Sequence, residues 1–139
     1  MHEVIFEEAL EQLLAQNTRH PRDAYLFVRE ALDYTQKAIV RKNKGKLRHV
    51  SGQELLRGIR EYALQQFGPM TITVFEEWGV QSCHDFGEIV FNMVESGLLA
   101  KTDKDRRADF KDAYDFDEAF RKPFLPKSKR PWETKPVTG

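Results

Sequence analysis

The stretch "SGQELLRGIREYALQQFGP", residues 51–69, constrains the fold more than any other. Ser51 and Glu54 stand at the S-x-x-E spacing of a capping box: the serine oxygen accepts a backbone N–H one turn on, and the glutamate reaches back to the serine's own N–H. Leu55, Leu56, Ile59, Ala63 and Phe67 then recur at the spacing of a single helix face. Gly68 can take the left-handed conformation that ends a helix, and Pro69 cannot continue one. Start signal, apolar stripe and stop agree, so local chemistry alone predicts a helix over 51–67. Its apolar stripe must find other elements to pack on.

The rest of the chain offers several. Residues 3–16 place Val4, Ile5, Ala9, Leu10, Leu13 and Leu14 on one stripe that Glu3, Glu7, Glu8 and Glu11 largely avoid, and early glutamates suit the helix dipole. A second helix is expected from Pro21 to Arg41, where Ala24, Ala31 and Ala38, and also Tyr25, Leu32 and Ile39, recur every seven residues with Val28 and Thr35 between them. The repeat lasts under three heptads, which favours a hairpin over the alternative, a coiled-coil dimer. It predicts a helical hairpin with the first helix.

"MTITVFEEWGV" fits a short helix ending at Gly79, although its β-branched start could also be extended. Ser82 is placed to cap a further helix, with Asp85 three residues on; Phe86, Ile89, Val90, Met93 and Val94 supply its buried face and Gly97 ends it. "LLAKT", residues 98–102, is short enough for a strand. Ala108, Phe110, Asp112, Tyr114 and Phe116 alternate as in a second strand, with Asp112 the flaw on the apolar face. Three helices followed by a two-stranded wing have the order of a winged helix.

The expected fold is therefore mainly α with a small β-hairpin: an N-terminal helical hairpin (1–41), a basic linker (42–50), a winged-helix-like unit (51–122) and a Pro/Lys-rich tail (123–139). The tail has little periodicity and few apolar residues, so it is expected to be mobile.

Composition limits what such a chain does. The 139 residues make about one domain, and 22 acidic against 22 basic residues leave a net charge of zero. No global field steers the protein toward nucleic acid or an anionic membrane, so electrostatic preference must come from local patches. One cysteine, Cys83, allows no internal disulfide and no cysteine-rich zinc site. The acidic start lacks the basic region and continuous apolar stretch of a signal peptide, and no run is long enough to span a membrane. A soluble cytoplasmic protein with no membrane partner is expected.

Catalytic motifs are thin. Cys83-His84-Asp85 is adjacent in sequence, but neighbours on a helix point about 100° apart and do not converge on one atom. His84 and Glu88 could share a face, yet a closed metal site needs about four ligands. No phosphate-cradling glycine loop or hydrolase motif is present. The expectation is no enzyme, no cofactor and no metal.

Two surfaces remain. Beyond its core residues, the helix over 82–96 shows His84, Asp85, Glu88, Asn92, Glu95 and Ser96, without a lysine or arginine, so DNA phosphates would repel it. Glu88, Phe91, Asn92 and Glu95 are candidates for binding a protein. Phe91 is off core phase and either packs on the hairpin or anchors a partner. "RKNKGKLRH" holds Arg41, Lys42, Lys44, Lys46 and Arg48 without an acid; it reads as a solvated linker or as a phosphate-binding stretch, helped by Lys127, Lys129 and Arg130 of the tail.

The strings "HVSGQELLRGIREYALQQFGPM", "FEEWGV", "DFGEIVFNMVESGLLAKT" and "DAYDF" resemble an uncharacterised family of small bacterial proteins, and the similarity covers about residues 3–125. That family has no assigned activity, ligand or catalytic residue, so the resemblance transfers no role to any position. The expected function is a non-enzymatic cytoplasmic protein-interaction or adaptor module. The alternative is a nucleic-acid or ribosome-associated protein that binds through the basic linker and tail, not through residues 82–96.

Overall fold

Burying the stripe of residues 51–67 organises the molecule. The computed structural model describes residues 2–46, 48–99, 110 and 113–125, with side chains from residue 6 on. Among the described residues five α-helices run in order: α1 (His2–Gln16), α2 (Arg22–Lys42), α3 (Gly52–Phe67), α4 (Thr71–Glu77) and α5 (Cys83–Glu95). A 3-10 turn over Gly68–Met70 joins α3 to α4, and a π-helical turn, Asp117–Arg121, leads into a 3-10 turn at Lys122–Phe124.

The capping box forms as the sequence predicts. The Glu54 N–H donates to Ser51 Oγ at 3.1 Å, and the Ser51 N–H donates to Glu54 Oε1 at 3.0 Å. The helix ends at Gly68, whose φ of 53° disfavours any side chain. Thr71 Oγ1 donates to the Gly68 carbonyl at 2.7 Å and holds the turn into α4.

The heptad-spaced face of α2 is covered mainly by α3 and α5, not by α1. The expected α1–α2 hairpin is thus only part of the arrangement. Arg22 ties α2 to Glu7 and Glu11 of α1, and Arg29 lies 4.0 Å over the Phe6 ring. The larger apolar burial is between α2 and α3, because α3 can approach closely at Gly58. A Cβ on Gly58 would sit 1.7 Å from Thr35 Oγ1, so only glycine lets the two helices touch there.

Rings fill the space beneath. Phe27 of α2 meets Tyr62, Phe67, Phe75, Trp78 and Phe86 at centroid distances of 5.3–6.4 Å. Phe75 meets Phe86 and Phe120 edge to face at 5.1 and 5.2 Å. These contacts join α2, α3, α4, α5 and the π-turn into a single core.

The wing is where expectation and structure part. Among the described residues no strand forms. Leu98 and Leu99 lie in bends after α5 and lean on the core, and residues 113–115 are irregular. Helical backbone begins at Phe116. The physical reason is visible in the burial pattern: Phe116, Ala119 and Phe120 are buried at i, i+3 and i+4, a helical spacing. Asp115 opens the turn by accepting the Glu118 N–H at 3.1 Å on its side chain and the Ala119 N–H at 2.9 Å on its carbonyl. The β-hairpin and the winged-helix likeness built on it therefore gain no support. The remainder of the expected wing, residues 100–109 and 111–112, and the tail from 126 on lie outside the described residues.

The start of α5 also differs. Ser82 makes no side-chain capping bond. Asp85 instead accepts the Gln81 N–H at 2.8 Å and the Arg19 guanidinium at 2.8 Å. The carboxylate is drawn to a cation on the α1–α2 loop, which leaves the serine without its reciprocal partner.

Candidate functional site

The Cys83-His84-Asp85 triplet points three ways. Cys83 is buried and its thiol donates to the Tyr114 carbonyl at 3.4 Å. His84 is exposed, with Nε2 3.6 Å from Glu88. Asp85 is buried and serves Arg19 and Gln81. The structure does not bring the three onto one reacting atom. Tyr114, beside the thiol, donates its hydroxyl to the Leu56 carbonyl at 2.8 Å; burial first, then the neighbouring Cys83, pushes that hydroxyl well above its ordinary range. Among the described residues there is no cluster of three or more His, Cys, Asp or Glu able to hold a metal.

The candidate protein-binding face of α5 is mostly turned to internal use. Asn92 Nδ2 donates to the Tyr25 hydroxyl of α2 at 3.2 Å. Phe91 meets Phe110 edge to face at 5.9 Å and is half-buried against the core. Glu88 is half-buried, and Glu95 alone of the four is fully exposed. Phe86, Gly87, Ile89, Val90 and Met93 are buried beside them.

The candidate phosphate-binding stretch divides in two. Arg48 donates two parallel hydrogen bonds to Glu54, Nη1 to Oε1 at 2.9 Å and Nη2 to Oε2 at 2.6 Å. That pair first, and the Ser51 hydrogen bonds after it, hold the Glu54 carboxyl at about 2, well below its usual range, although partial burial opposes them. Arg48 thus braces the capping box. Arg41, Lys42, Lys44 and Lys46 are exposed or nearly so, and among the described residues they have no ion pair. Arg41 and Lys42 sit in the last turn of α2, where cations complement the dipole.

Of these four, Lys42 lines a cleft of 260 Å³ at the open mouth of the α2–α3 pair, together with Arg48. Sequence reasoning missed one of its walls. Arg57 of α3 lines the cleft across from Lys42, and among the described residues it too has no ion pair. Its only sequence signal is a charged position off the apolar stripe, a feature shared with Arg60 and Glu61.

Two further features lie elsewhere. His20 is buried, with Nδ1 2.8 Å from the Trp78 carbonyl and Nε2 without a partner, and it helps fasten the α1–α2 loop to the turn before α5. Met70, Phe124 and Leu125 are the large apolar side chains left exposed among the described residues.

No family model, curated protein or solved structure matches the chain. Among the described residues no helix is long and apolar enough to cross a membrane.

Proposed function

We propose that this chain is a non-enzymatic cytoplasmic protein-interaction or adaptor module, of the uncharacterised bacterial family its sequence resembles. Met70, Phe124 and Leu125, 56%, 43% and 53% exposed, carry the reading. The 3-10 turn that bears Met70 packs on the π-turn, which runs directly into Phe124 and Leu125, so the three belong to one region of the surface. Burial of such apolar area is worth about 25 cal/mol per Å² to whatever partner covers it. The test is affinity capture from nuclease-treated extract, with wild type and a Met70→Gln/Phe124→Ser/Leu125→Ser variant. A protein recovered with wild type and lost with the variant supports the reading. Equal recovery with both refutes this surface as the docking site.

A second reading rests on the exposed cations Arg41, Lys42, Lys44 and Lys46: a nucleic-acid or ribosome-associated protein that binds through this stretch and not through α5. Each neutralised phosphate releases counterions, so affinity would fall steeply with salt. A salt titration in which affinity is flat from low to physiological ionic strength excludes it. Lys127, Lys129 and Arg130, expected to help, lie outside the described residues.

A further inference from the structure

We propose that the cleft between α2 and α3 is a binding site for a phosphate group, gripped by Lys42 and Arg57. The inference deepens the second reading above and rests on it, but it moves the site off the basic run and into a walled cleft that includes a residue of α3.

The argument begins with how the cleft is built. α2 and α3 touch at Thr35 and Gly58 and open from there toward the C-terminal end of α2 and the N-terminal end of α3. Arg48, held to Glu54 by two hydrogen bonds, forms part of the lining. Tyr34 forms part of one wall, and its ring is fixed against Tyr62 at 5.4 Å. The walls are therefore set by packing and do not have to be ordered by a ligand.

Charge within the cleft is unevenly matched. Three cations line it, Lys42, Arg48 and Arg57, with two carboxylates, Glu54 and Glu61. Glu54 is paired with Arg48 and accepts the Ser51 N–H, while Glu61 accepts the neutral Tyr34 hydroxyl at 3.1 Å, which supplies no countercharge. Lys42 and Arg57 line one space from the two helices, and among the described residues neither has an ion pair, so the lining holds one cation more than carboxylates. At the end of α2 the Asn43 N–H caps Ile39 and the Gly45 N–H caps Val40, each at 2.8 Å, which leaves two of the last four carbonyls to be offset by Arg41 and Lys42. An anion completes this arrangement.

Size and donor type narrow the anion. At 260 Å³ the cleft is smaller than the pockets of about 300 Å³ and upward that enclose a drug-sized ligand, so it takes a head group and not a whole cofactor. A guanidinium fork opposite a lysine point charge suits the tetrahedral oxygens of phosphate. The phosphate can come from a small ester or from the backbone of RNA, whose further phosphates Lys44 and Lys46 would meet outside the cleft.

Titration calorimetry with inorganic pyrophosphate and with a single-stranded RNA oligonucleotide tests this at low salt. The proteins are wild type, Arg57→Gln, Arg57→Lys, the Lys44→Gln/Lys46→Gln pair, and Lys37→Gln as a control on α2 paired to Asp33 away from the cleft. Arg57→Gln should weaken both probes about tenfold, as expected when one charge-assisted hydrogen bond is removed. Arg57→Lys should weaken them less, and Lys37→Gln should change nothing. The lysine pair should weaken RNA only, flattening the salt slope by about 0.7 for each phosphate no longer neutralised. Tighter binding of RNA than of pyrophosphate assigns the phosphate to a polymer; the reverse assigns it to a small ester; either agrees with the cleft. If Arg57→Gln and Arg57→Lys bind as wild type does while the lysine pair binds RNA weakly, the basic-stretch reading stands and the cleft inference falls. If neither probe binds wild type, both fall. The substitutions are at side chains that face solvent or the open cleft, and unchanged melting curves verify that the variants are folded.

Discussion

Gly58→Ala is the most informative single substitution in the fold, because two opposite expectations attach to it. On an ordinary helix surface, alanine in place of glycine stabilises by about 0.5–1 kcal/mol by reducing the backbone entropy of the unfolded chain. Here the new methyl would stand 1.7 Å from Thr35 Oγ1, 3.0 Å from its Cβ and 3.3 Å from its Cγ2. Thr35 is buried, stiff at χ1, and its hydroxyl donates to the Ala31 carbonyl at 2.7 Å, so it cannot turn away without giving up that bond. The helices must separate. Overpacking of this kind costs about 1–3 kcal/mol, which set against the propensity gain leaves a net loss of up to about 2.5 kcal/mol. Thr35→Ala removes the hydroxyl and one methyl but leaves a Cβ at 3.0 Å, so the double variant should recover part of the loss, with a favourable coupling of about 1 kcal/mol. Urea unfolding followed by far-UV circular dichroism measures all four corners of the cycle. A Gly58→Ala protein more stable than wild type would show that α2 and α3 do not touch there, and the geometry of the cleft would go with it.

Glu54→Gln probes the brace on α3. The Glu54 carboxyl is held at about 2 against an ordinary 4.5, so its contribution is fully present above 4.5 and is lost as pH falls from there toward 2. The side chain is 21% exposed and its partner half exposed, so screening reduces the effect to about 1–2 kcal/mol. Wild-type urea midpoints should drop through that window while the Glu54→Gln protein, which keeps the capping geometry, shows a flatter profile; parallel profiles would contradict the pairing. Asp85→Ala should cost about 1–2 kcal/mol in thermal or urea unfolding, because it strips the Gln81 N–H of its acceptor, whereas Arg19→Ala, at a 62% exposed side chain, should cost less; the reverse order would refute the assigned roles. Tyr114→Phe, which leaves the Leu56 carbonyl without the hydroxyl, should cost about 1 kcal/mol by the same assay, and no change would remove that bond from the account.

What the sequence showed and what it hid divide by range. The cap of α3 was legible because all its parts lie within three residues of one another; α1, α2 and α5 followed from apolar spacing with start and stop residues, and the sequence leaves α4 open between a short helix and an extended start. The same S-x-x-acid spacing at Ser82 and Asp85 suggests a cap that does not form, because Asp85 answers Arg19, 66 residues away. Phe110, Tyr114 and Phe116 alternate as a strand does, but Phe116, Ala119 and Phe120 also keep a helical spacing, and contact with Phe75 decided between them. Phe27, a hub of the aromatic core, stands three residues after Ala24 and four before Ala31, at the edge of the stripe, so spacing allows its burial but does not show which rings it meets. Of the candidate site, the exposure of Arg41, Lys42, Lys44 and Lys46 was legible from their run. The commitment of Arg48 to Glu54 was not, nor was the position of Arg57 across from Lys42, because both depend on how α2 and α3 cross.

The central claim is that α5 belongs to the core and is not a helix held out for recognition. Native-state hydrogen exchange, read amide by amide by NMR across a denaturant series, tests it most directly. If α5 is enclosed by α1, α2 and α3 as described, the amides of residues 87–94 exchange only through global unfolding, with the same free energy and denaturant dependence as those in the middle of α3. If residues 87–94 instead exchange through a local opening with little denaturant dependence while α3 stays protected, α5 is a separable surface helix and the claim is wrong.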